Sequence, residues 1–589
     1  MIRLVLISFF IFLFGSLGAL AQDFDETKAK AEAGEAAAQA ELGVLYQLGD
    51  GIEQSDEEAV AWYRKAAEQG DARGQTNLGN LYEVGQGVDK NYDEAVKLYR
   101  KAAAQDYGRA QAALGYMYEY GLGLEKSEET AVQWYQKSAE NGARAGQYYL
   151  GQMLEHGTGI PKDLEKAATY YRLAAEQGDD DSQLNLGSFY EHGRGVEQSD
   201  VEAVKFYRAS AEQGNARAEA FLGFMYEMGR GVEASVPEAL KWYRKSAEQG
   251  DPTGQRYLGD MYEFGTGVSQ DYKKAAELYR LSADQGSSAA QTSLGSFYER
   301  GNGVEQNDVE AATLYRAAAD QDHARAQAYL GLMYENGKGV EQSTAEALNW
   351  YRKSAELGSS LGQRYLADMY EYGKGVPEDH VKAVSYYRQA ADQGDTNGIV
   401  NLGVMYETGK GVEQSYAEAF RLFEKAADQD DALGQAYLGL LYEQGNGVNQ
   451  DSKKAIDLYR QSAQQGSATG QTYLAISYER GSGVRKSYRN ALKWYRKAAE
   501  QDHAAAQAGL GVFREYGYGV KQDFELAVKW YRKAADQGHS VGQFYLADMY
   551  EYGKGVEQDK TEALKWYRLS AEQGDEDAAE AIERLTAGE

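Results

Sequence analysis

ARGQTNLGNLYEV, GQGVDKN and YDEAVKLYRKAAAQDY follow one another from Ala72 to Tyr107. In the first segment Gly74, Leu78, Leu81 and Gly85 fall at i, i+4, i+7 and i+11, which is one face of a helix. In the second, Gly85 and Gly87 mark a loop that needs positive φ or close backbone approach. The third opens on Asn91, a residue suited to capping a helix start, and continues with Ala95, Leu98-Tyr99 and Ala103 on one face. The spacing predicts helix A over roughly 72–84, helix B over roughly 92–105, and a tight loop between them.

The same frame recurs along the chain. Leu42-Gly43 returns as Leu78-Gly79, Leu114-Gly115 and Leu150-Gly151, and the step of 36 residues holds to Leu546-Ala547 without insertion or deletion. Fifteen full repeats result, numbered here from residue 36, and repeats that can bury their faces only against neighbours form a stack. Glycine fills the Gly85 and Gly87 columns throughout. The Asn91 column holds only Ser, Asn or Asp, and Glu three places later in eight repeats suggests a capping box. Helix B closes on Gly in eleven repeats and on Asp106, Asp322, Asp430 and Asp502 in the others. All seven Trp share one column, and Tyr fills 14 of 15 places in the next, with Phe423 the exception. These aromatics read as repeat core. Arg in the Arg64 column and Glu in the Glu83 column suggest an Arg–Glu ladder between helices.

The chain has 589 residues, 62 Lys plus Arg and 91 Asp plus Glu, for a net charge of −29. That balance argues against nucleic acid, which needs a basic surplus to displace phosphate counterions. With no cysteine, disulfides, thiol chemistry and cysteine-zinc sites are excluded. Residues 1–21 read as a secretory signal: Arg3, an apolar run from Leu4 to Phe14, then Ala19-Leu20-Ala21 as a cleavage site. The expected mature chain is periplasmic or secreted and monomeric, and meets a membrane only transiently through that leader. Residues 22–35 are expected to cap the N-terminal end, 36–575 to form one continuous array, and 576–589 to supply a C-terminal capping helix and tail.

Leu222-Gly223, Tyr226, Gly229-Arg230-Gly231-Val232, Ala239-Leu240, Trp242-Tyr243 and Ala247 carry a pattern that resembles the Sel-one-like repeat (SLR) family, a branch of the tetratricopeptide-type α-solenoids. The resemblance covers about residues 35–585, with Leu154 and Arg514 departing at the first Tyr. It implies an all-α, right-handed α/α superhelical solenoid that assembles other macromolecules. Relatives act in membrane-associated protein quality control, envelope regulation, exopolysaccharide control and host-cell interaction.

Variable columns on a helix face are where recognition can differ between repeats. On helix A these are the columns of Arg73, Asn77, Asn80 and Val84, expected to line a concave surface. The stripe is most apolar in repeats six and seven, at Arg217, Phe221, Phe224, Met228, Tyr257 and Phe264. Repeats nine and ten add Tyr329, Leu332, Tyr365 and Tyr372. Aromatics beside arginine suit protein anchors. Spaced tyrosines suit sugar rings, the alternative being a cell-wall or exopolysaccharide binder, and neighbouring A helices could also simply pack these rings together. No catalytic residue, metal site or cofactor is expected. His156 and His192, one repeat apart, stand too far from each other for one metal, and His323, His503 and His539 share a column at a helix A entrance.

Overall fold

The structure is a computed structural model that describes the backbone of residues 17–587 and the side chains of 24–587. The expected leader therefore lies outside the described residues, except that the backbone of 17–21 begins the first helix, Leu17–Glu32. Among the described residues there are 32 helices and no strand, and none of the helices is long and apolar enough to cross a membrane.

Two compact bodies divide the described residues, those up to 290 with 302–305, and 291–301 with those from 306 on. Each is a solenoid of helix-turn-helix pairs. In repeat two, helix A is Ala72–Val84 and helix B is Tyr92–Ala103. The N-cap column behaves as its residue types require: in all fifteen repeats that side chain accepts a backbone N–H of the first turn of helix B. The capping box is not completed. The N-cap N–H instead donates to the carbonyl of the residue nine places earlier in helix A, as Asn91 does to Tyr82 at 2.8 Å, which closes the loop. The Glu freed by this pairs with a cation one turn on, as in Glu94 with Lys97 and Glu202 with Lys205.

The core tyrosines are buried to their hydroxyls, and the hydroxyls set the polar wiring. Tyr99, Tyr135, Tyr243 and their equivalents donate to the Glu sixteen residues earlier at 2.6–3.0 Å. The expected Arg–Glu ladder does not form. The Glu is taken by tyrosine, and its other oxygen reaches the loop of the next repeat, as in Glu155–Arg194 at 2.9 Å and Glu335–Lys374 at 2.8 Å. In seven repeats the arginine of the Arg64 column turns to the helix A tyrosine of the following repeat, for example Arg208 to Tyr226 at 2.8 Å. Both bonds tie one repeat to the next.

A second ladder joins the end of helix B to helix A of the same repeat. Gln69, Gln105, Gln177 and their equivalents donate to the amide oxygen of Gln39, Gln75 and Gln147 at 2.7–3.0 Å. Repeat nine breaks it: Leu357 replaces the donor, and the buried Gln327 Oε1 is left without a partner. In repeat eleven Ile399 replaces the acceptor opposite Gln429, so no buried acceptor is stranded. An unmade bond to a buried acceptor costs about 1–3 kcal/mol. Leu357→Gln is therefore expected to stabilise the protein by about 1–2 kcal/mol. A urea midpoint that fell in this variant would contradict the assignment.

Candidate site on the helix A face

Helix A of repeat six, Ala216–Met228, and helix A of repeat seven, Pro252–Phe264, pack side by side. Leu222, Met225, Leu258 and Met261 face the core, which places Phe221, Phe224, Met228, Tyr257 and Phe264 on the adjoining flank. Phe224 and Tyr257 stack with centroids 5.6 Å apart, and Tyr257 continues onto the buried Tyr243 at 5.0 Å. The Arg256 guanidinium lies 3.9 Å from the Tyr257 ring centre. Phe221 rests on Tyr207 at 5.5 Å, with Arg217 5.8 Å from its ring. Thus Phe221, Phe224 and Tyr257 are half-buried and anchored by core tyrosines. Met228 and Phe264, in the same column one repeat apart, are 52% and 70% exposed.

The group in repeats nine and ten lies in the other body. Tyr329 packs tilted on Tyr315 at 5.2 Å and Tyr365 stacks on Tyr351 at 5.0 Å, each on its own core ring. Arg325 Nε donates to the Tyr329 hydroxyl at 3.0 Å, and Leu332 is half-buried. Tyr372 stands exposed. The expectation that these side chains line a surface and the expectation that they pack together both describe part of what is seen: the ring bases pack, and the residues at the helix A end project.

That end column holds more than the stripe first suggested. Leu48, Val84, Tyr120, Tyr516 and Tyr552 are exposed there as well. Reading one column across all repeats, rather than the most apolar stretches alone, would have found Leu48, Tyr120 and Tyr516. The half-buried part of the face also carries acid. Asp260 and Asp368 lie 108 residues, or three repeats, apart in one column of helix A. Asp260 Oδ1 and Glu263 Oε2 both sit 2.6 Å from the Tyr279 hydroxyl, and Asp368 Oδ1 and Glu371 Oε2 sit 2.5 and 2.6 Å from that of Tyr387. Burial pushes the Asp260 carboxyl up, and that of Asp368 up to about 6.

Two of the histidines cap helices. His323 and His539 accept a first-turn N–H through Nδ1, and His503 contacts Thr472 at 3.1 Å. Burial lowers the pKa of His503 and His539, so these rings lie nearer the neutral form. Among the described residues no group of three or more His, Cys, Asp or Glu is placed to hold a metal ion.

The Sel1 repeat model matches fifteen consecutive segments, from 36–71 and 72–107 through to 504–539 and 540–575. A search of the curated proteins finds no match. Among solved structures, the chain is similar to a protective antigen present in uropathogenic Escherichia coli strains that displays an SLR fold. Identity is 35%, over 75% of this chain and 95% of that one, with a TM-score of 0.53. It is also similar to a Sel1 repeat protein from Oxalobacter formigenes, at 34% identity over 52% of this chain and 89% of that one, with a TM-score of 0.39. Fifteen matched segments in one register, on helix-turn-helix pairs tied to one another by tyrosine, glutamate and glutamine, place this chain in the Sel1 repeat family, whose solenoids generally serve as protein-interaction scaffolds.

Proposed function

We propose that this chain is a non-enzymatic, exported scaffold or regulator that binds envelope or secreted proteins along its helix A face. The observation that carries the reading is the pair Met228 and Phe264, exposed in one column of adjacent repeats beside the Phe224–Tyr257–Tyr243 stack. Large apolar side chains held on a rigid base lose little entropy when a partner covers them, which is what an anchor requires. Export rests on the leader-like run of residues 1–21. It is also in keeping with the E. coli relative, a protective antigen, a role suited to a protein met outside the cytoplasm.

The test is capture of partners from an envelope extract of the source organism by immobilised residues 22–589. Replacing Phe221, Phe224, Tyr257 and Phe264 by Ala is expected to abolish capture of a stoichiometric protein. Because three of these rings also pack on the core, Met228→Ser with Phe264→Ser provides the surface-only variant, expected to weaken capture at least tenfold with unchanged helicity. Full capture by both variants would remove the helix A face from the reading. Recovery of glycan in place of protein would replace the scaffold with a wall-polymer binder.

A further inference from the structure

Repeat thirteen inverts the charge of the chain. Residues 468–503 carry Arg480, Arg485, Lys486, Arg489, Lys493, Arg496 and Lys497 against Glu479, Glu500 and Asp502, a net +4 where the whole chain is −29. The inversion is concentrated in the A–B loop and the first turn of helix B, Tyr488–Ala499. Arg485 occupies the column of Glu53, Glu125 and Glu197, Arg489 that of Glu57 and Glu129, and Asn490 that of Glu94 and Glu202. Neither the fold nor the capping needs this change, because Ser487 caps the helix as its equivalents do.

At this point the surface opens into a cleft of about 620 Å³, lined chiefly by Arg460, Tyr478, Arg485, Lys486, Ser487 and Asn490. Its lining includes no carboxylate. Arg460 belongs to the column whose guanidinium donates to the next helix A tyrosine in seven other repeats; here it turns to Asp457 at 3.0 Å, and Tyr478 lines the cleft. One carboxylate oxygen does not use up the five N–H donors of a guanidinium. Lys486 lies 4.7 Å from the Tyr488 ring centre, and Tyr488 stacks on Tyr518 at 4.7 Å, so an aromatic wall stands beside the cations.

We infer that this cleft binds an acidic peptide segment of a partner protein, its Asp or Glu carboxylates meeting Arg460, Arg485 and Lys486. The volume is that of a site for several groups rather than for a single small ion. Arginine forks take carboxylates in two-pronged fashion. The acidic remainder of the chain repels a long polyanion at a distance, whereas a short acidic segment meets only the local positive field. The site stands apart from the helix A aromatic face in residues and in chemistry, so it does not depend on that reading, and the variants of the two sites separate them.

The experiment uses the full chain, a fluorescein-labelled hexaglutamate peptide, and hexaglutamine of the same length, with anisotropy measured at low and physiological salt. Expected is saturable, salt-sensitive binding of hexaglutamate and none of hexaglutamine. Arg485→Glu with Lys486→Glu is expected to weaken it at least tenfold. Lys97→Glu with Lys101→Glu, which changes net charge equally but lies in repeat two, is expected to leave it unchanged. Both pairs are exposed, and circular dichroism checks that the helices persist. Equal weakening by the two variants would mean diffuse electrostatics and overturn the site. Absence of binding would overturn it as well. Displacement of the peptide by inorganic phosphate at matched charge would reassign the cleft to a single oxyanion and overturn the peptide proposal.

Discussion

Gly231→Ala is expected to destabilise repeats five and six by about 3–5 kcal/mol, far more than the loss of glycine freedom alone. Gly231 sits at φ +67°, where a side chain costs about 1–2 kcal/mol. Its added Cβ would also press on the carbonyl of Asp200, the first residue of the preceding repeat's helix B, well inside van der Waals contact. Backbone at a helix start cannot move aside cheaply. In a solenoid, stability is approximately the sum of repeat terms and nearest-neighbour interfaces, so a damaged interface separates the array on either side of it. Hydrogen exchange should show Asp200–Glu212 and Ala216–Met228 losing protection ahead of distant repeats, and the urea midpoint should fall. Gly142→Ala supplies the comparison: it has φ +73° and open space around its Cβ position, so only the backbone cost of about 1–2 kcal/mol applies. If the two variants lost stability equally, the close approach would carry no weight.

Three glycine columns thus have three strengths of cause, and the sequence ranked only the weakest. The column that ends helix B admits Asp at 106, 322, 430 and 502, all at φ 57–58°, because nothing crowds the site. That tolerance was legible, since substitution between repeats displays it. The two loop columns are both invariant, and invariance alone cannot separate a φ requirement at Gly229 from backbone contact with the neighbouring repeat at Gly231. The fold, the repeat register and the caps were readable because each is set by residues within one repeat. The polar wiring was not. Glu83 and Arg64 suggested each other by charge, yet tyrosine lies closer to both, and the partner that satisfies Glu155 or Glu335 stands 39 residues on, in the next repeat's loop. The glutamine ladder spans 30 residues and mixes two columns that look like surface, so its signal was present but unread. On the helix A face the aromatic stripe was visible in the sequence, while the division into anchored ring bases and projecting tips needed coordinates. The basic cleft needed charge to be counted by repeat rather than over the whole chain.

The acid cluster of repeat ten makes stability depend on pH in an unusual direction. The Tyr387 hydroxyl has one proton, yet two carboxylates, Asp368 and Glu371, approach it at 2.5 and 2.6 Å. It can donate to only one of them, so the second short contact is favourable only when that carboxyl carries a proton of its own. The surroundings set which one. Burial chiefly pushes Asp368 up, with Glu371 and Glu335 adding to the rise, while the Tyr387 bond and Arg364, 4.0 Å away and also paired with Asp395, oppose it. Its pKa of about 6 stands above the ordinary 3.8, so the folded chain binds this proton more tightly than the unfolded chain does. The stabilising contribution is therefore complete below about pH 3.8 and disappears as pH rises through about 6. The cost at neutral pH relative to the protonated form is about 2–3 kcal/mol. Asp368→Asn should remove it. Repeat two holds an amide at this place, with Asn80 Oδ1 and Glu83 Oε2 both 2.6 Å from the Tyr99 hydroxyl, and an amide rotated to turn its NH₂ toward that oxygen would supply the missing donor. The variant is expected to gain about 1–2 kcal/mol at pH 7.5 and little at pH 5, flattening this site's share of the profile. Urea unfolding of wild type and variant across pH 5–8 reads the difference directly. A variant that was less stable at pH 7.5, or whose advantage grew on acidification, would show that Asp368 is ionised and well solvated, and that the Tyr387 proton serves both acids without strain.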